Sequence, residues 1–152
     1  MVIKHLSESK EHMELVINWL WKEWGNEKNY SYYKSIVESS LDKENLPQTF
    51  IALMDDEPVG TVGLWRCDLM SRQDLFPWLA CLYVLPEYRG KGIGLALQRF
   101  LIKYSGEIGY KEIFLYTELD NYYEKLGWQY IENGITNKNE IEKIYKINTK
   151  PR

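Results

Sequence analysis

Cysteine is scarce in this 152-residue chain: Cys67 and Cys81 are the only two. Two cysteines cannot build a disulfide framework, and without clustered histidines they make no zinc site, so both read as thiols and no metal is expected. Long apolar runs are missing as well. Nothing approaches the roughly 20 residues that span a bilayer, and the start, Met1-Val2-Ile3-Lys4-His5, has no signal-peptide core. The expectation is a cytoplasmic protein with no membrane partner. Charge of one sign is also weak, at a net -3, which argues against binding nucleic acid through an overall field and leaves cationic amines open as ligands. Repeats, linkers and low-complexity segments are absent. Hydrophobic residues at 45% and charged residues at 27% describe a globular chain. The length suits a single domain over residues 1–152 with its own core.

What is present is a run of alternating patterns. Residues 2–6 suit a first strand. From Ser7 the pattern turns helical, with Met13, Val16, Ile17, Leu20 and Trp24 on one stripe and Gly25 placed to end it. Trp19 and Trp21 fall off that stripe and serve either as packing or as lining for a ligand. Residues 30–41 suggest a second, less regular helix. Residues 49–54 and 58–65 flank Asp55-Asp56-Glu57 as a hairpin. Residues 66–77, polar and weakly periodic, read as a loop. A strand over 78–84 follows, then a helix with Ile93, Leu97, Phe100, Leu101 and Tyr104 on one stripe. A strand over 111–117, a short helix over 119–125 closed by Gly127, and strands over 128–132 and 140–147 complete the chain. Strand, helix, strand over 82–117 requires parallel strands joined by a right-handed crossover. The fold class is α/β (α+β) with a mixed sheet.

The densest signal is Leu82-Tyr83-Val84-Leu85-Pro86-Glu87-Tyr88-Arg89-Gly90-Lys91-Gly92-Ile93-Gly94. An apolar run stops at a proline, three glycines alternate, and a helix begins at once. With no side chains at the glycines a ligand can approach the main chain, and the first N–H groups of the helix have no partner inside it. Those donors and the positive end of the helix dipole suit a pyrophosphate. The spacing G-x-G-x-G excludes the dinucleotide fingerprint G-x-G-x-x-G, and no Lys-Ser or Lys-Thr follows Gly94 as a kinase-type loop demands.

Arg89-Gly90-Lys91-Gly92-Ile93-Gly94 resembles the acetyl-coenzyme A signature of the GNAT superfamily of N-acetyltransferases: Arg or Gln, two residues, Gly, one residue, then Gly or Ala. Tyr123-Glu124-Lys125-Leu126-Gly127-Trp128 is similar to the family's late Tyr-Glu-Lys-Leu-Gly-Phe element. The resemblance covers residues 46–132 and the ends by general pattern. It implies a twisted, mostly antiparallel sheet of six to seven strands with a central parallel pair, flanked by about four helices. It implies acetyl-coenzyme A as co-substrate, a small-molecule or peptide amine as acceptor, and a homodimer as the common assembly.

Carried over residue by residue, the resemblance has Gly90, Lys91, Gly92, Ile93 and Gly94 bind the pyrophosphate through N–H groups, with Arg89 and Lys91 adding charge. Leu82, Tyr83 and Val84 would pair with the pantetheine arm, and the Val84 N–H would meet the thioester oxygen as an oxyanion donor. Tyr123 would serve the leaving thiolate, with Tyr122 as runner-up, and Asn121 would contact the cofactor. The segment 78–84 carries no acid where many family members have a Glu, so the base is open among Glu118, Asp120, Asp68 and Asp74, directly or through water. The loop 66–77, with Asp68, Arg72 and Asp74, and the aromatic segment 24–33, with Tyr30, Tyr32 and Tyr33, are expected on the acceptor side; Glu118 joins the acceptor candidates. Two functions fit these readings: an N-acetyltransferase, or a non-catalytic module that senses coenzyme A or an acyl derivative.

Overall fold

The computed structural model describes residues 1–150. Strands and helices follow in the order β1 (Val2–His5), α1 (Met13–Trp24), α2 (Tyr30–Ser39), β2 (Gln48–Met54), β3 (Glu57–Trp65), β4 (Trp78–Val84), α3 (Ile93–Glu107), β5 (Glu112–Thr117), β6 (Gln129–Ile135) and β7 (Ile141–Asn148). The strand order in the sheet is β1-β2-β3-β4-β5-β7-β6. Pairing is antiparallel at β1/β2, β2/β3, β5/β7 and β6/β7. It is parallel at β4/β5, where Trp78 stands opposite Phe114. Among the described residues this is the mixed, mostly antiparallel sheet with a parallel pair that the resemblance implies, with three α-helices in place of about four.

The chain divides into two compact units. The first comprises Met1–Leu64 and Cys81–Arg99. Its core gathers Leu6, Val16, Ile17, Trp19, Leu20, Val37 and Ile51, with Cys81, Tyr83 and Leu85 packed against it. One expectation for α1 is corrected here: Trp24, placed on the buried stripe, is 45% exposed, while Trp19 takes the packing reading at 7%. Because α1 packs on α2 as well as on the core of the strands, its buried arc is wider than one stripe and takes in Trp19. Trp24 is the last residue of the helix and projects past that arc. Gly25 ends α1 because nothing larger fits: a Cβ there would lie 2.6 Å from the Trp21 carbonyl oxygen and 2.7 Å from Asn29 Oδ1.

The second unit comprises Trp65–Ala80 and the described residues from Phe100 onward. Trp78, Phe114, Ile144 and Leu69 form its core, with Leu75, Tyr116 and Ile131 against it. The loop 66–77 is fastened to β6. The Ser71 hydroxyl donates to the Ile135 carbonyl at 2.5 Å, and Leu69 packs so closely on Gly134 that a Cβ there would lie 2.6 Å from Leu69 Cδ2. The short helix expected over 119–125 is replaced by bends and a single 3₁₀ turn at Glu124–Leu126. The Thr117 hydroxyl accepts the Leu119 N–H at 3.1 Å, and Asn121 adopts φ +59°. Both compete locally with a helix. Gly127, at φ +96°, closes the turn as expected.

Candidate active site

In the first unit, the chain leaves β4 through a 3₁₀ turn at Pro86–Tyr88, in which Tyr88 N–H donates to Leu85 O at 2.9 Å and Arg89 N–H to Pro86 O at 3.2 Å. Gly90 and Gly92 then take φ +79° and +82°. A Cβ at either would meet nothing within 4 Å, so backbone conformation, not crowding, requires glycine at both. Gly94 has no such φ, and a Cβ there would touch Val84 Cγ2 at an ordinary 3.8 Å. The Gly-or-Ala tolerance of the signature at this position thereby has a physical basis. Ala96 N–H donates to Gly92 O at 3.0 Å. Gly92 is therefore the N-cap of α3, and the N–H groups of Ile93, Gly94 and Leu95 have no acceptor within the helix. With the dipole of a 15-residue helix behind them, these donors can hold a phosphate. The Lys91 ammonium lies 5.2 Å from the centre of the Tyr88 ring, and Arg89 lies over the Tyr83 ring at 5.6 Å.

The end of β4 has a defined orientation. Leu85 N–H donates to Val59 O at 2.9 Å, and the Tyr83 carbonyl oxygen lies 2.9 Å from where a Cβ on Gly60 would stand. Residues 83 and 85 thus turn their main-chain groups toward β3, and by alternation the N–H and C=O of Val84 point the other way. Gly60, which lets β3 and β4 approach here, was not singled out in the sequence, although an isolated glycine inside a strand is a known sign of close backbone approach. Within β4, Cys81 adopts φ +52°, a conformation that a non-glycine residue takes at a cost.

Aromatic rings gather on this strand end. The Tyr83 ring lies 5.6 Å from Trp19 and 6.5 Å from Trp24, the latter edge to face. Trp19 is core packing. Trp21 is structural too, donating from Nε1 to the Asn26 carbonyl at 2.6 Å and packing on Tyr30. The exposed aromatic surface of this segment belongs to Trp24 and Tyr32, while Tyr33 is buried.

In the second unit, Tyr123 is partly buried, with ring neighbours at Tyr122, Trp128 and Tyr145. Its carbonyl accepts the N–H groups of Leu126 and Trp128 at 3.0 and 3.1 Å, which anchors the residue to the turn that follows. Burial, with a smaller contribution from Tyr122, pushes its phenol up to about 12. It therefore keeps its proton through the neutral range. Tyr122 is 48% exposed. Asn121 and Glu118 are exposed, and Asp120 pairs with Lys143.

The loop 66–77 separates its three charged candidates. Arg72 grips Asp74 through two bonds of 3.0 Å and also pairs with Glu132 on β6. The Arg72 guanidinium is the first cause holding the Asp74 carboxyl below its ordinary range. Asp68 stands outside this network. Desolvation pushes its carboxyl up to about 7, and it contributes to raising the neighbouring Cys67 thiol, which burial drives first. Among the described residues no group of His, Cys, Asp or Glu could hold a metal ion. No helix among them is long and apolar enough to cross a membrane.

The family model for the acetyltransferase (GNAT) family matches residues 13–128. The chain is 34% identical over 85 residues to N-alpha-acetyltransferase 30 of Schizosaccharomyces pombe, a match covering 53% of this chain and 56% of that protein. The chain thus matches little more than half the length of that curated relative. Among solved structures, an aminoglycoside 6'-N-acetyltransferase complexed with coenzyme A aligns with a TM-score of 0.78 at 19% identity, covering 100% of this chain and 99% of the other. A spermidine N-acetyltransferase from Vibrio cholerae aligns with a TM-score of 0.73 at 15% identity, covering 98% and 95%. At those identities the two structures speak for the fold. The family model covers most of the sequence and takes in both the glycine loop and the late tyrosine element: the chain belongs to the GNAT acetyltransferase family.

Proposed function

We propose that the protein transfers the acetyl group of acetyl-coenzyme A to a primary amine by direct attack. The observation that carries this reading is the passage from β4 to α3, where Gly90 and Gly92 hold left-handed conformations that no side chain blocks, ahead of the unpartnered N–H groups of a long helix. That passage binds a pyrophosphate through main-chain donors, with Lys91 adding charge. The relatives whose names state an activity are N-acetyltransferases, and their acceptors include an aminoglycoside and spermidine. The acceptor proposed here is accordingly an amine of a small molecule or of a protein.

Each step falls to a group of this chain. Val84, whose N–H points away from β3, donates to the thioester oxygen as the amine nitrogen bonds to the carbonyl carbon, and stabilises the charge that gathers there. The carbon–sulfur bond then breaks. The Tyr123 phenol, protonated at neutral pH, donates to the departing sulfur. We assign Asp68 to the acceptor, as the carboxylate that takes a proton from its ammonium group and leaves the neutral amine to attack, because its carboxyl titrates near 7 and is not engaged by Arg72. The second proton, shed by the nitrogen as the amide forms, replaces the one Tyr123 gives the sulfur. Arg72 and Asp74 are assigned to the architecture of their loop. The setting we propose is the cytosol, where Cys67 and Cys81 persist as thiols.

The test is to incubate the protein with acetyl-coenzyme A and a panel holding a polyamine, an aminoglycoside and free-amine peptides, and to follow thiol release together with the mass of the amine. Acetylation of at least one class supports the reading. Coenzyme A binding with no acetylated amine across the panel would favour the sensor.

A further inference from the structure

The loop signature makes Arg89 a cation for phosphate, but the side chain is engaged elsewhere. Its Nε donates to the Val84 carbonyl at 2.9 Å, and its guanidinium lies over the Tyr83 ring at 5.6 Å from the centre. The Val84 carbonyl and the Val84 N–H lie on the same edge of β4, the edge turned away from β3. The two groups belong to successive peptide planes that meet at the Val84 Cα. Leu85 N–H on Val59 O holds one face of the carbonyl's plane and Arg89 the other, and together they restrain, through φ and ψ of Val84, the N–H that the proposed reaction uses.

We infer that Arg89 is a positioning residue: by holding the Val84 carbonyl and stacking on Tyr83 it sets the direction of the Val84 N–H, beyond any charge it offers the pyrophosphate. The Tyr83 ring itself packs against Trp19 and Trp24, so the guanidinium rests on an aromatic cluster. Arginine suits this work because its Nε–H and planar head are held in one geometry, whereas a lysine carries a point charge on a flexible stem. The signature's acceptance of Gln at this position fits as well, since a carboxamide donates a hydrogen bond and carries no charge. A residue needed only for phosphate charge would have Lys as its natural substitute.

The inference rests on the proposed acetyl transfer for its kinetic consequence but not for its structural one, so two readouts separate the failures. Arg89→Lys keeps the charge and loses the fixed donor; we expect kcat to fall about tenfold with little change in the KM for acetyl-coenzyme A. Arg89→Gln keeps a donor and loses the charge; we expect the KM to rise about fivefold and kcat to fall less than in Arg89→Lys. In parallel, the ¹⁵N–¹H resonance of Val84 in the ligand-free protein should shift in Arg89→Lys and stay close to the parent position in Arg89→Gln. Arg89→Lys with parent-like kcat and an unmoved Val84 resonance would overturn the inference, as would Arg89→Gln disturbing that resonance more than Arg89→Lys does. If the parent binds coenzyme A and acetylates nothing, acetyl transfer is lost and the Val84 resonance alone decides the role of Arg89.

Discussion

Asp68 carries a carboxyl that burial pushes up to about 7, in a loop where its neighbours Arg72 and Asp74 neutralise one another. A carboxyl whose folded-state pKa exceeds its unfolded value binds its proton more tightly in the fold. It therefore costs stability as the pH rises from about 4 toward 7, with the full cost above 7. That cost is on the order of a few kcal/mol at most, since the side chain retains some contact with water. Asp68→Asn should raise the melting temperature at pH 8 and leave it nearly unchanged at pH 4; equal shifts at both values would show that ionisation of Asp68 is not the cause. If the residue also handles the acceptor, the same variant should raise the acceptor KM by about tenfold. At Tyr123 the hydroxyl can be removed while the ring keeps its packing against Trp128 and Tyr145. Tyr123→Phe should lower kcat by roughly 100-fold with little effect on cofactor affinity, and Tyr122→Phe should do neither. A large loss from Tyr122→Phe alone would move the role by one residue.

Among the elements, the run from β4 through the loop into α3 was the most legible, because each part carries its own signal: β-formers, a proline, glycines that permit positive φ, and a helical stripe. The structure adds which glycine does what. Gly92 stands at φ +82° and Gly94 does not, so Gly94→Ala should bind coenzyme A within about threefold of the parent, measured by titration. Gly60 was illegible in this role, because its reason lies in the Tyr83 carbonyl, 23 positions away in the numbering, which approaches to 2.9 Å of a would-be Cβ. Gly60→Ala should lower the melting temperature and weaken binding at the β4 end; parent-like behaviour in both would mean that β3 and β4 yield easily there. The missing helix after β5 has a similar origin. A hydroxyl at Thr117 and a left-handed Asn121 decide it, and neither shows in hydrophobic spacing.

At the scale of the whole molecule, the fold class followed from alternation and turn residues, while partners far apart in sequence did not. Arg72 and Glu132 lie 60 positions apart, and only the register of β6 brings them together. Trp24 left the buried stripe expected for it, and Trp19 took the packing role of its two readings, because burial on a helix depends on what packs against its flanks, which one-dimensional spacing cannot report. The net charge of -3 gives the molecule no general attraction for an anionic cofactor. On the proposed reading, affinity for coenzyme A comes from the local donors at the start of α3. Calorimetric titration of coenzyme A into the parent and into Gly92→Val tests this most directly, with the fold of the variant checked by its melting curve. The account predicts measurable binding to the parent and a loss of at least about 100-fold in the folded variant, because the φ of +82° at position 92 is strained for valine and the loop must shift to relieve it. Equal affinities in the two proteins would place the cofactor elsewhere and contradict the account.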